Sequence, residues 1–190
     1  MNSDSEQQTE SDGQVIVVMG VAGAGKTTVG ELLAEDLGWS FYDGDDYHPR
    51  ANVEKMSRGI SLNDEDRALW LDRLRSLIDE LLAVGERGVV ACSALKRAYR
   101  QRLGRDRPRV RFVYLQGSEP LIRDRLEQRE GHFMEEDLLA DQLETLEKPA
   151  DMLTIRIDQG PGEIVREIKA GLGLRNGGQG QQPSGSGGCV

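Results

Sequence analysis

The sequence predicts an α/β protein in which five short strands form one parallel sheet flanked by helices. Three observations carry that reading. Short apolar runs recur five times and alternate with stretches patterned at helical spacing. Polar and glycine residues gather where the apolar runs end, the side on which open parallel sheets take their ligands. The length of 190 residues, 37% of them hydrophobic, supplies one core of ordinary size.

The first strand is Val15-Ile16-Val17-Val18-Met19, and it runs directly into Gly20-Val21-Ala22-Gly23-Ala24-Gly25-Lys26-Thr27. This is the order G-x-x-x-x-G-K-[ST], and a helical stripe of Val29, Leu32, Leu33 and Leu37 follows it, with Gly38 as a stop. The residue types fit one chemistry. Glycines let backbone N–H groups approach phosphate oxygens, and the helix N-terminus favours the anion. Lys26 bridges outer phosphates and the Thr27 hydroxyl takes a place on Mg²⁺. A chance Gly-rich turn would lack the strand before and the helix after. A dinucleotide turn is excluded because the third glycine position holds Thr28.

The second strand is predicted at Trp39-Ser40-Phe41-Tyr42, ending in Asp43-Gly44-Asp45-Asp46. A long helix follows Asn63, a good N-cap with Asp64, Glu65 and Asp66 in the first turn. Its stripe runs Trp70, Leu71, Leu74, Leu77, Ile78, Leu81 and Leu82 before Gly85 and Gly88 break it. Val89-Val90-Ala91-Cys92 is the third strand, Leu95 to Leu103 a helix, and Arg111-Phe112-Val113-Tyr114-Leu115 the fourth strand. Ser118 opens a helix to Arg129, which Gly131 ends, and another helix covers Glu136 to Glu147. Leu153 to Ile157 is the fifth strand and Glu163 to Leu172 the closing helix. Residues 1–13 are polar and acidic after Met1, and 176–190 are mostly Gly, Gln and Ser. Both are expected to be disordered tails around a folded domain at 14–175.

Composition narrows the function. A net charge of −9 argues against general nucleic-acid binding, and no apolar run approaches the ~20 residues of a membrane span. The acidic N-terminus is unlike a signal peptide, and two cysteines, Cys92 and Cys189, make no disulfide framework, which points to the cytoplasm. Two distant histidines without a cysteine cluster leave a structural zinc no ligands.

A P-loop alone says nucleotide, not reaction. Asp43 and Asp45, one residue apart at a strand end, add what transfer to an alcohol needs. One carboxylate holds Mg²⁺ and the other accepts the proton of an attacking hydroxyl. An acidic turn is the plainer reading of those residues, but not so soon after a P-loop helix. Arg67 shares the apolar stripe of its helix and so needs an anion, either a protein carboxylate such as Asp43 or Asp64 or a carboxylate on the substrate. Residues 96–111 carry eight basic side chains against Asp106 alone; most are a solvated face, but Lys96 and Arg100, on one helix side, are candidates for the cleft. Arg125 and Arg129, four apart before Gly131, suit a lid that closes on phosphates.

Together these motifs resemble the bacterial-type gluconate kinases within the shikimate-kinase-like P-loop NTPase group. The resemblance spans nearly the whole folded domain. It rests on the P-loop, on Asp43-Gly44-Asp45-Asp46-Tyr47-His48-Pro49-Arg50 with Asn52 and Glu54-Lys55-Met56, and on Leu62 to Arg67 with Trp70-Leu71. Cys92-Ser93-Ala94-Leu95-Lys96 with Tyr99-Arg100, Gly131-His132-Phe133, Gln142 with Glu144-Thr145-Leu146, and Asp158-Gln159 extend it. Shikimate kinases place a Gly-rich triplet where this chain has Cys92-Ser93-Ala94.

The resemblance implies ATP- and Mg²⁺-dependent phosphorylation of D-gluconate to 6-phosphogluconate by a cytoplasmic homodimer with a lid. It implies Lys26, Asp45 and Arg129 as catalytic residues, with Thr27 and Asp43 on the metal. Nucleotide contacts are expected from Gly20, Val21, Ala22, Gly23, Ala24, Gly25, Lys26, Thr27, Thr28, Arg125 and Gln159. Substrate contacts are expected from Asp45, His48, Arg50, Arg58, Arg67, Lys96 and Arg100. Alternatives are a kinase for another small acid or polyol, such as shikimate or a different sugar acid, or a non-catalytic nucleotide- or gluconate-binding sensor.

Overall fold

The computed structural model describes residues 13–128 and 135–174. Five strands, β1 (Gln14–Met19), β2 (Ser40–Asp43), β3 (Arg87–Ala91), β4 (Val110–Gln116) and β5 (Leu153–Arg156), form one sheet in the order β2-β3-β1-β4-β5. Every neighbouring pair is parallel, with Val17 of β1 opposite Val90 of β3 and Phe112 of β4. The helices are α1 (Lys26–Leu37), α2 (Arg50–Met56), α3 (Asp64–Ala83), α4 (Arg97–Arg102), α5 (Glu119–Glu127), α6 (Glu135–Thr145) and α7 (Pro161–Leu172).

Strand β1 shows why both faces are covered. Its side chains alternate with the pleat, so Ile16 and Val18 join one core with Val29 and Leu33 of α1 and Ile164 and Ile168 of α7. Val15, Val17 and Met19 join the other, with Trp70, Leu74 and Ile78 of α3. The middle of β1 is therefore wholly enclosed, and the segment leaving its carboxyl end is anchored from two sides.

The expected strands and long helices are present, with end shifts of one to three residues. Helix α3 begins as its sequence requires. Asn63 Oδ1 accepts from the Asp66 N–H at 2.8 Å and Asp66 Oδ2 accepts from the Asn63 N–H at 3.1 Å, a reciprocal cap. Two local differences matter for the site. First, residues 44–62, read from sequence without a helix, contain a 3₁₀ turn at Gly44–Tyr47 and the short helix α2. Second, the helix expected from Leu95 begins only at Arg97. Ala94 has φ 43, in the left-handed region that non-glycine residues rarely adopt, and Lys96 is the extended N-cap rather than a helical residue. Lys96 and Arg100 therefore do not share a helix side. Arg129 and the Gly131-His132-Phe133 segment lie outside the described residues, as do Cys189 and residues 175–190.

Candidate active site

The P-loop leaves the carboxyl end of β1 and wraps the first turn of α1, with Gly25 as N-cap at φ 88, a backbone conformation that favours glycine. The Lys26 ammonium folds back to the Val21 carbonyl at 3.0 Å. Arg125 of α5 lies against this loop, since a Cβ built on Gly25 would stand 3.7 Å from its Nη1. Its Nη2 donates to the Ile157 carbonyl at 2.6 Å, which ties α5 to the end of β5. Gln159 stands in the turn that follows and donates to the Arg156 carbonyl at 3.1 Å.

The carboxyl end of β2 delivers the two aspartates. Asp43 accepts twice, from Thr27 Oγ1 at 2.9 Å and from the Asp45 N–H at 3.0 Å. One carboxylate thus joins the P-loop threonine to the second acid. Gly44 between them packs onto β3, where any Cβ would run into the Ala91 carbonyl oxygen. The close approach dictates the residue. Lys26, Asp43 and Asp45 all act electrostatically on the Cys92 thiol just beyond β3, so the three charged groups converge at the carboxyl ends of neighbouring strands. Desolvation dominates there and pushes the thiol up to about 12, so Cys92 stays neutral.

Trp70, read from sequence as a core residue, builds this site. Its Nε1–H donates to the Gly44 carbonyl at 2.7 Å, and its ring stacks on His48 with centroids 4.5 Å apart and planes within 9°. His48 Nε2 lies 3.9 Å from Asp45 Oδ1. Burial lowers the His48 pKa; the Asp45 carboxylate opposes that shift and Arg67 adds to it. Arg67 is half-buried at the start of α3, donates to the Leu62 carbonyl, and acts electrostatically on His48, Asp64, Asp66 and Tyr99. Among the described residues no carboxylate forms an ion pair with Arg67.

The other basic candidates are engaged elsewhere. Lys96 grips both Asp64 oxygens at 2.6 and 2.8 Å, and Tyr99 donates to the same carboxylate. These hydrogen bonds hold Asp64 below the usual carboxylate range. Arg100 is buried, and its guanidinium donates to the carbonyls of Ala94, Leu95 and Glu147 at 3.1, 2.7 and 3.0 Å. It braces the strained turn after β3 instead of facing a cleft. Arg50 is 93% exposed and pairs with Glu54 on the next helical turn. Arg58 is exposed on the loop after α2.

A family model described as an AAA domain matches residues 15–149. The gluconokinase of Gluconobacter oxydans (strain 621H) is 44% identical over 169 residues, covering 87% of this chain and 95% of the relative. The thermosensitive gluconokinase of Escherichia coli (strain K12) is 44% identical over 161 residues, covering 83% of this chain and 86% of the relative. A solved gluconokinase from Sinorhizobium meliloti 1021 is 48% identical, with a TM-score of 0.75 over 86% of this chain and 93% of that one. The chain belongs to the gluconokinase family. Its sheet and flanking helices are those of a P-loop kinase.

Within this gluconokinase-family chain, the residue whose role sequence reasoning missed most is Gln142. Its Oε1 accepts from the Ala22 N–H of the P-loop at 2.7 Å, across 120 residues of sequence. The neighbouring Asp141 accepts from Ser61 Oγ, so α6 ties the P-loop to the loop before α3. Asn52 is the second omission, named in the motif but given no role. It is a buried polar side chain, and its Nδ2 donates to the Asp66 carbonyl at 2.8 Å. Neither contact follows from local spacing: one spans 120 residues, and the other joins α2 to α3 across the loop between them.

Proposed function

We propose that this chain transfers the γ-phosphoryl group of ATP to the 6-hydroxyl of D-gluconate, giving ADP and 6-phosphogluconate. The observation that carries the reading is the chain Thr27–Asp43–Asp45 at the mouth of the P-loop. It sets a hydroxyl and two carboxylates beside the loop that cradles phosphates. In the transfer, the substrate oxygen forms a bond to phosphorus as the bond from phosphorus to the ADP oxygen breaks. The hydroxyl proton passes to Asp45, whose side chain is 80% exposed in this chain and open to a substrate.

Thr27 and Asp43 present hard oxygen donors 2.9 Å apart, the ligand type that Mg²⁺ selects, and are the residues that would hold it. When bound, it would neutralise charge on the phosphate oxygens. Lys26 exchanges the Val21 carbonyl for phosphate, and Arg125 and Gln159 border the nucleotide. Arg129 is proposed as the lid cation on the transferring group.

Arg67 at the positive end of α3 takes the gluconate carboxylate, with His48 beside it. Arg50, Arg58 and Lys96 remain secondary candidates for the sugar hydroxyls. Arg100 contributes by holding the 94–95 backbone. A cytoplasmic homodimer without nucleic-acid or membrane partners completes the reading; among the described residues no helix is long and apolar enough to cross a membrane.

The test is ADP release by the purified chain with ATP and Mg²⁺ across a panel of gluconate, other sugar acids, shikimate and neutral polyols. Turnover that depends on gluconate supports the reading. Equal turnover with shikimate or another acid replaces the substrate, and ATP binding without turnover on any acceptor supports the sensor instead.

A further inference from the structure

Asn52, so far without a functional role, contacts His48, which the reading above places beside the gluconate carboxylate. Asn52 is 3% exposed, on a seven-residue helix that sequence patterning did not reveal. Its amide orientation is dictated by chemistry. The Asp66 carbonyl oxygen, 2.8 Å away, only accepts, so the atom facing it is the NH₂ nitrogen. The second hydrogen of that NH₂ group is left for His48 Nδ1, 3.4 Å away. A ring nitrogen that accepts carries no proton, and in a neutral imidazole the proton then sits on the other nitrogen. That nitrogen is Nε2, the one facing Asp45 Oδ1 at 3.9 Å.

We infer that Asn52 sets His48 as the neutral Nε2–H tautomer, so that His48 acts as a positioning residue presenting a hydrogen-bond donor to Asp45. The inference rests on the reading of Asp45 as the proton acceptor. The exposures explain why such a device is useful. The Asp45 side chain is 80% exposed, whereas the His48 side chain is 6% exposed and stacked on Trp70. A rigid N–H gives the exposed acid one preferred orientation. The opposite tautomer would turn a lone pair on the carboxylate and push it away. Arg67 and Asp45 are the charged groups that act on His48. They oppose one another, and burial adds to the effect of Arg67, so the ring is kept neutral.

The test begins with the wild-type chain, which contains two histidines. Long-range ¹H–¹⁵N correlation spectra of the ¹⁵N-labelled protein at neutral pH, assigned with a His132→Gln variant, report which ring nitrogen of His48 holds the proton. The Nε2–H pattern is expected. An Nδ1–H pattern, or a doubly protonated ring, overturns the inference whether or not gluconate is the substrate. Asn52→Asp replaces the donor with an acceptor and is expected to move the proton to Nδ1 or to charge the ring. It should lower kcat by about 10- to 100-fold, the scale on which a small misplacement of a reacting group acts, with KM for ATP unchanged. Should that variant fail to fold, the His48 substitutions decide. A glutamine amide reaches the place of Nε2–H and an asparagine amide that of Nδ1, so His48→Gln should keep about tenfold more kcat than His48→Asn. Equal kcat in the two overturns the positioning role.

Discussion

Asp43 and Asp45 stand one residue apart, yet they make different contacts, so substitution can separate their proposed roles. Asp45→Asn keeps size and removes the proton acceptor. Its backbone N–H, not its side chain, makes the bond to Asp43, so that contact survives. With the side chain 80% exposed, the effect on stability should stay within about 0.5 kcal/mol. For a domain of this length that is a Tm change under about 2 °C. The kinetic effect should be far larger. Losing a positioned general base lowers kcat by roughly 10²–10⁴, or about 3–5 kcal/mol of barrier. Asp43→Asn should behave differently. Its carboxylate accepts from both Thr27 and the Asp45 N–H, and an amide has one oxygen for those two donors. One hydrogen bond is lost, about 1 kcal/mol at a half-exposed position, and ATP affinity in Mg²⁺ falls with it. The assay pairs coupled ADP release with calorimetric ATP binding. A folded Asp45→Asn protein that keeps more than about a tenth of wild-type kcat would refute the base assignment. Lost ATP binding with kcat preserved would move Asp45 to the metal.

Three further outcomes are expected. Arg67→Lys keeps the charge but loses the planar fork, so KM for gluconate should rise by roughly tenfold or more while KM for ATP holds; equal weakening of an uncharged polyol would make Arg67 a structural residue. Gln142→Ala should lower stability by about 0.5–1.5 kcal/mol through the lost Ala22 contact, whereas Gln142→Glu keeps an acceptor but sets a negative charge at the phosphate loop and should weaken ATP more; calorimetric binding to both variants checks the order. Cys92, with its thiol pushed up to about 12, should resist a thiol reagent at pH 8 in a folded Cys189→Ser chain and react after denaturation. Because the folded value lies above the ordinary 9, its contribution to stability is present below pH 9 and lost between 9 and 12, which urea midpoints across that range would register.

The sheet was legible because each strand is a short apolar run bounded by turn residues, and the helices because α1 and α3 carry apolar stripes with glycine or asparagine at their ends. The P-loop and the Asp43-Gly44-Asp45 pair were legible as motifs because each is a short contiguous stretch, while the Thr27–Asp43 bond that joins them spans 16 residues. What sequence spacing misplaced depends on distant partners. Lys96 and Arg100 read as one helix face because a uniform helical period was carried back to Leu95, whereas Lys96 is the extended N-cap. The positive φ of Ala94 falls just upstream, and three carbonyls absorb Arg100. Helix α2 was missed because seven residues with one buried side chain make no stripe. What holds α2 is outside it, in the bonds from Asn52 and Lys55 to Asp66 of α3.

The first turns of α3 accordingly do more than begin a core helix. Within one stretch, Asp64 binds Lys96 and Tyr99, Asp66 closes the cap and binds Lys55, Arg67 faces His48, and Trp70 holds Gly44 and stacks on His48. The partners come from three segments: the 44–48 turn, α2, and the start of α4. Below Trp70, the same helix buries Leu74 and Ile78 against β1 and β3. The acceptor side of the site is thus bolted to the core through one helix end, while the nucleotide side hangs from β1 and α1. Among the described residues, Asp43 and Gln142 hydrogen-bond further elements to the P-loop. Substitutions in the α3 core should therefore disturb gluconate more than ATP. A Leu74→Ala protein, about 2–5 kcal/mol less stable, should lose acceptor affinity at temperatures where its nucleotide affinity is intact. Parallel loss of both on warming would show that the two halves melt as one unit.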